Sequence, residues 1–188
     1  TDFFHRIGRV TKTFTVTAVL QLVDEGKLGL DDPVAKYIDK VPNGNKITLR
    51  ELARMQSGLF NYSMSLAFSR DLETDPRRRY STQQLLDYAF AQPPNFPPGQ
   101  GYEYSNTNAV LLGQVVEKVS GQTLPAFVRE HITEPLGMSH TSFPDTNTLP
   151  DPHAQGYTQL TPAGPLIDST DWSPSWASWA GAMISTLD

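Results

Sequence analysis

The fold is decided by the stretch Gly8-Arg9-Val10-Thr11-Lys12 and by the apolar segment that follows it as far as Gly26. The periodicity of this segment is ambiguous. Up to Ala18, apolar residues alternate with threonines as in a strand, whereas residues 18–25 have the character of a helix that ends at Gly26. β-Branched residues lower helix propensity only slightly, and burial can override that preference. The residues by themselves therefore leave strand and helix open for 10–26.

A second polar motif, Tyr104-Ser105-Asn106, lies between a loop and a helix. The proline and glycine content of residues 93–101 predicts the loop. Residues 106–120 carry apolar side chains at helical spacing, and Gly121 follows them as a C-cap. The motif is therefore expected where the loop meets the N-terminus of the helix.

Other helix starts have clear signals. Capping boxes begin at Thr48 and at Ser81, because each is followed three residues later by Glu or Gln. Asp32 followed by Pro33 predicts an N-cap with proline in the first turn. Residues 141–175, rich in Pro, Thr, Ser and Asp, predict a long irregular excursion, and a loop of that length usually has a function or a surface to lie on.

Composition limits the classes of function. The 188 residues suit one domain or a large part of one, with a formal net charge of −5. Basic residues cluster only at Arg77-Arg78-Arg79, so nucleic-acid binding is disfavoured. The absence of cysteine excludes a thiol nucleophile and thiolate metal sites, and the histidines lack metal-ligand spacing. No apolar run is long enough for a transmembrane span, and no signal peptide is visible.

Further segments occur in order around the two motifs: Phe4-His5-Arg6-Ile7-Gly8, Ser57-Gly58-Leu59 and Pro135-Leu136-Gly137-Met138. Together they resemble the penicillin-recognising serine hydrolases, the serine β-lactamase and penicillin-binding superfamily, and in particular its class C β-lactamase-like branch. The runs His153-Ala154-Gln155-Gly156-Tyr157 and Ile167-Asp168-Ser169-Thr170 bring the sequence closer still to secreted actinobacterial D-alanyl-D-alanine carboxypeptidases.

The resemblance implies an α+β fold of the β-lactamase and penicillin-binding transpeptidase type. Residues 1–188 would form a partial domain, mainly the helical portion with the motif helix over 10–26. Most of the central antiparallel sheet is expected outside these residues. The third family motif, a Lys or His followed by Thr or Ser and then Gly, is also absent, because His140-Thr141-Ser142 lacks the glycine and comes too early.

The same resemblance assigns roles to five positions. Arg9 occupies the position of the nucleophilic serine, and Lys12, one helical turn later, would be the catalytic base. Tyr104 would relay a proton, and Asn106 and Trp176 would bind substrate. A guanidinium stays protonated in proteins and cannot attack an acyl carbon. The chain with Arg9 is therefore expected to be inactive or severely impaired.

Two other hydroxyl groups, those of Thr11 and Ser57, are not expected to act as the nucleophile. Thr11 is one residue from Lys12, about 100° around a helix, and so faces elsewhere. Ser57 lacks the glycine pattern of a nucleophile elbow and is interpreted as part of a turn. Trp172 and Trp179 are interpreted as packing residues.

The first functional hypothesis is a β-lactamase or D-Ala-D-Ala carboxypeptidase that acts through an acyl-enzyme on a small-molecule or peptide substrate, without cofactor or metal. Arg9 motivates an alternative, a non-catalytic relative that binds peptidoglycan or a protein partner. An esterase of the same fold is a second alternative, because the motifs are shared. The resemblance implies a secreted or cell-envelope location and leaves the oligomeric state open.

Overall fold

The computed structural model describes residues 2–159 and 164–187. These residues form seven α-helices: α1 (Thr11–Asp24), α2 (Leu49–Ala53), α3 (Leu66–Thr74), α4 (Thr82–Phe90), α5 (Asn106–Ser120), α6 (Leu124–Val128) and α7 (Ser178–Gly181). They also form four two-residue strands: β1 (His5–Arg6), β2 (Tyr157–Thr158), β3 (Ile167–Asp168) and β4 (Ile184–Ser185). The predominance of helix confirms the prediction that this chain is mainly the helical portion of an α+β fold.

Helix α1 resolves the ambiguity of the opening segment. Its buried residues follow helical spacing and share one face: Thr11, Thr15, Ala18, Val19 and Leu22. The motif helix that the family resemblance implies is therefore confirmed over the strand that periodicity left open, because burial of this face outweighs the modest helix propensity of threonine and valine. The helix ends at Asp24, two residues before Gly26, which adopts a left-handed φ of 70°.

Helix α5 is the central element of the core, packed against α1, α2 and α7. Val110, Leu111 and Val115 are fully buried. Gly113 allows the close approach of α7, because a Cβ built there would lie 2.2 Å from Cδ1 of Trp179. The helix ends as predicted at Gly121, whose φ of 74° is left-handed.

Most of the predicted helix starts are confirmed, and one is wrong. Both capping boxes form, at Thr48 and at Ser81. Asp32 does not cap an α-helix, because only a 3₁₀ turn follows it, over Val34–Lys36. Its carboxylate instead accepts hydrogen bonds from the backbone N–H of Gly29, at 2.8 Å, and from the Tyr37 hydroxyl, at 2.5 Å. Asp32 thereby links the turn before it to the end of the 3₁₀ turn after it.

The strands form two short antiparallel ladders. Strand β1 pairs with β4, with Arg6 opposite Ile184, and β2 pairs with β3. The first ladder brings the two ends of the described chain together beside the start of α1. Among the described residues, no helix has the length and apolar character needed to span a membrane.

In the described parts of the segment, 141–159 and 164–175, the chain is irregular as predicted, apart from β2, β3 and a 3₁₀ turn that begins at Pro174, and it lies against the start of the chain. Nη2 of Arg6 donates hydrogen bonds to three of its carbonyl groups: Asn147 at 2.6 Å, Thr170 at 3.0 Å and Trp172 at 3.1 Å. A charged donor shared among three carbonyls satisfies backbone groups that a long loop would otherwise leave unpaired. This anchorage shapes the cavity wall described below.

Candidate active site

Lys12 lies in the first turn of α1, where its ammonium group is partly buried. Nζ donates a hydrogen bond to the backbone carbonyl of Ala180 at 2.6 Å. The same nitrogen lies 4.9 Å from the centre of the Tyr104 ring. The side chain is therefore fixed between α7 and the Tyr-x-Asn motif, as a positioned amine requires.

Burial and, as the smaller cause, the nearby positive charge of Arg9 together lower the pKa of Lys12 to about 8. Both effects disfavour the protonated amine. A lysine that loses its proton near neutral pH is suited to general-base chemistry.

Arg9 precedes Lys12 in a 3₁₀ turn over Gly8–Val10 and is exposed. Its Cζ lies 5.6 Å from the centre of the Tyr104 ring, so Arg9 and Lys12 face the same aromatic side chain. Within residues 2–159 and 164–187 no carboxylate forms an ion pair with Arg9. The structure thus brings the position of the expected nucleophile, the lysine and the tyrosine together.

Tyr104 and Asn106 belong to a hydrogen-bond network that includes a residue missed in the sequence. The Tyr104 hydroxyl donates to Oδ1 of Asn106 at 2.9 Å, and Nδ2 of Asn106 donates to Oγ of Ser63 at 3.1 Å. Ser63 in turn donates to Oδ1 of Asn61 at 3.0 Å. These bonds orient the Asn106 amide. Ser63 carries no local sequence signal, because its partner is 43 residues away.

A cavity of about 680 Å³ opens beside these residues. Arg9, Ser63 and Asn106 are among the polar residues that line it. Trp176, which was expected to line the cleft, and Trp172, which was interpreted as a packing residue, both line this cavity. The volume is within the range of pockets that hold drug-sized ligands.

The charged groups at this cavity are mainly cationic. Arg6 and Arg9 line it, and Lys12 lies against its Ala180 wall, whereas Glu73 is the acidic lining residue. Burial lowers the pKa of Arg6. In the part of the chain that the structure describes, no three His, Asp or Glu side chains cluster in a way that could hold a metal ion.

The hydroxyl groups of Thr11 and Ser57 form hydrogen bonds within the protein core. Thr11 is fully buried, and its Oγ1 accepts a hydrogen bond from the backbone N–H of Met183 at 3.1 Å. Ser57 is buried and donates to Oδ1 of Asn108 at 2.7 Å. Trp179 packs edge-on against Phe143. Thr11 and Ser57 therefore lie in the core, where a substrate does not reach them.

A lysine in the first turn of a helix, 4.9 Å from the tyrosine ring of a Tyr-x-Asn motif and beside a cavity, is typical of the penicillin-recognising hydrolase class. Comparison with known proteins agrees with this class. The sequence profile of the family described as Beta-lactamase matches residues 1–188. The chain belongs to this family, with the β-lactamase and transpeptidase-like fold.

Individual relatives support the same assignment. The chain is 31% identical over 191 residues to "Protein flp" of Staphylococcus aureus (strain MW2), covering 98% of this chain and 36% of that protein. It is similar to a D-stereospecific amidohydrolase from Streptomyces sp. (TM-score 0.94, 37% identity, 98% of this chain and 57% of that one). It is also similar to the D-amino acid amidase from Ochrobactrum anthropi SV3 (TM-score 0.85, 30% identity, 98% and 53%). The chain thus spans little more than a third of the first protein and just over half of the two solved structures.

Proposed function

We propose that this chain is part of a serine-type hydrolase that acts through an acyl-enzyme, with position 9 as the nucleophile position. With arginine there, the protein does not complete the reaction. The observation that carries the proposal is the placement of Lys12 Nζ between the Ala180 carbonyl and the face of Tyr104, at the edge of the cavity that Arg9 lines.

With a serine at position 9, the chemistry would be acyl transfer in two steps. The hydroxyl oxygen attacks the substrate carbonyl carbon while its proton passes to Nζ of Lys12. Tyr104 relays a proton to the leaving nitrogen as the carbonyl–nitrogen bond breaks, and water then releases the acyl group by the reverse sequence. The backbone N–H of residue 9 would donate to the developing oxyanion.

The proposed substrates are amides of D-amino acids, D-Ala-D-Ala peptides or β-lactams. Support comes from the two solved relatives, which are described as a D-stereospecific amidohydrolase and a D-amino acid amidase. Asn106 would hold the substrate amide, and Trp172 and Trp176 would contact its apolar group. The resemblance to penicillin-binding proteins supports the further proposal that the protein is located in the cell envelope.

The test is hydrolysis of D-phenylalanine amide by the whole protein, with Arg9, with Arg9→Ser and with Arg9→Ala. Only Arg9→Ser should release ammonia and D-phenylalanine, because alanine removes the arginine without supplying a hydroxyl. Equal activity of Arg9→Ala and Arg9→Ser would contradict position 9 as the nucleophile position.

A second candidate is the non-catalytic binding protein. Exposed Arg9, without a carboxylate partner in the described residues, favours it. A correctly folded Arg9→Ser protein that neither hydrolyses the amide nor reacts with penicillin would make this candidate the better one.

A further inference from the structure

Two cationic groups meet one aromatic ring at the edge of the cavity. The Arg9 guanidinium and the Lys12 ammonium lie 5.6 Å and 4.9 Å from the centre of the Tyr104 ring. The hydrogen bond of Lys12 goes to a neutral carbonyl, that of Ala180. The charge of Arg9 disfavours the protonated form of Lys12, so the two cations repel each other, and an anion near them would relieve that repulsion.

The cavity offers a matching environment for the rest of such a ligand. Phe68, Trp172, Trp176 and Pro174 supply apolar and aromatic surface. Arg6 lines the same cavity, and its buried Nη1 lacks a hydrogen-bond partner among the described residues. The chemistry of the walls therefore suits a carboxylate joined to an apolar or aromatic group.

We propose that, with arginine at position 9, this site is a non-covalent receptor for N-acylated amino acid carboxylates, with the carboxylate held by Arg9. This inference rests on the proposed function, because the acyl-transfer mechanism places the reacting carbonyl of the substrate next to position 9. Hydrolysis of an amide there would convert a neutral group into a carboxylate. A guanidinium offers two parallel N–H donors that match a carboxylate, whereas a neutral amide gains no charge-assisted bond. The arginine converts a substrate site into a site selective for the product.

The proposed ligand carries an N-acyl group because a free amino group would be positively charged. A free amino acid would bring an ammonium close to the carboxylate and toward Arg6, Arg9 and Lys12, which repel it. Acylation removes that positive charge and leaves an amide that Asn106 can bind. The exposed acid Glu73 lies on the same cavity, so it is the group through which a free amino acid could still bind.

The test is isothermal titration calorimetry with N-acetyl-D-phenylalanine and, as the neutral match, its primary amide. The protein with Arg9 should bind the carboxylate about tenfold or more tightly than the amide, which is the range for a hydrogen bond between charged groups. Arg9→Gln should remove the preference, and Arg129→Gln, at an exposed arginine outside the cavity, should keep it.

A second measurement needs no variant. Raising the salt concentration should weaken binding of the carboxylate and leave binding of the amide unchanged, because Arg9 is exposed to screening. Equal affinities for acid and amide, or binding of neither, would overturn the proposal. If Arg9→Ser forms an acyl-enzyme while the Arg9 protein binds no carboxylate, this inference fails and the proposed function stands.

Discussion

Replacing Arg9 by glutamine should raise the pKa of Lys12 without restoring its ordinary value. Two effects hold that pKa at about 8 instead of 10.5, and burial is the larger of them. Glutamine removes the positive charge, which favours the protonated amine, but leaves Lys12 in its partly buried position against Ala180. The pKa in Arg9→Gln should therefore rise but remain closer to 8 than to 10.5.

The pKa of Lys12 matters for catalysis because it sets the fraction of the amine that is neutral and able to act as a base. At pH 7 a lysine with a pKa of about 8 is neutral in about one molecule in ten, against roughly one in three thousand at 10.5. Nuclear magnetic resonance of lysine labelled with ¹³C at Cε follows this titration directly, and Lys12→Met assigns the signal. Arg129→Gln is the control for loss of a distant charge.

Three results would refute the reasoning. Titration of Lys12 near 10.5 in the protein with Arg9 would show that the amine is not desolvated. A return to 10.5 in Arg9→Gln would make Arg9 the main cause instead of burial. An unchanged pKa in Arg9→Gln would show that the two cations do not interact.

Three further predictions concern the hydrogen bonds of Arg6, the contact between Gly113 and Trp179, and the hydroxyl group of Tyr104. Arg6→Ala should lower the free energy of unfolding in urea by about 2–4 kcal/mol, since three carbonyls lose a charged donor; a change below about 0.5 kcal/mol would contradict that anchorage. Gly113→Ala should lower the free energy of unfolding by about 1–3 kcal/mol, because the new Cβ would clash with Trp179. Gly29→Ala is the control and should leave that free energy nearly unchanged, because its Cβ would have only ordinary contacts, the nearest at 3.5 Å. In an Arg9→Ser background, Tyr104→Phe should slow reaction with penicillin by about 10²–10⁴-fold while the fold is retained, and an unchanged rate would exclude the hydroxyl as the relay.

The fold could be predicted where its signals are local. Capping at Thr48 and Ser81 needs only residues within one turn, and the structure has both boxes. Helix α1 was ambiguous, because the partners that accommodate its buried threonines are distant in sequence. The Thr15 hydroxyl donates to the Trp179 carbonyl, 164 residues away. Periodicity cannot register a partner of that kind, and the family resemblance supplied the helix instead.

The candidate site shows the same division. Arg9, Lys12, Tyr104 and Asn106 could be named in advance, because the family resemblance assigns roles to them on motifs that are local patterns in the sequence. Ser63 and the Ala180 carbonyl could not, since the first is a common serine in a turn and the second is a backbone atom that any residue would supply. Trp172 was missed because a tryptophan in a cavity wall and one in a core have the same sequence signal.

The central claim is that position 9 is the nucleophile position of an acyl-transfer site in which Lys12 is the base. Intact-mass spectrometry after incubation with penicillin, followed by peptide mapping, tests this claim most directly. The whole protein with Arg9 should keep its mass, Arg9→Ser should gain the mass of one penicillin at position 9, and Lys12→Met in that background should abolish the gain. An adduct on Thr11 or Ser57 in the protein with Arg9, or a folded Arg9→Ser protein that stays unlabelled, would contradict it.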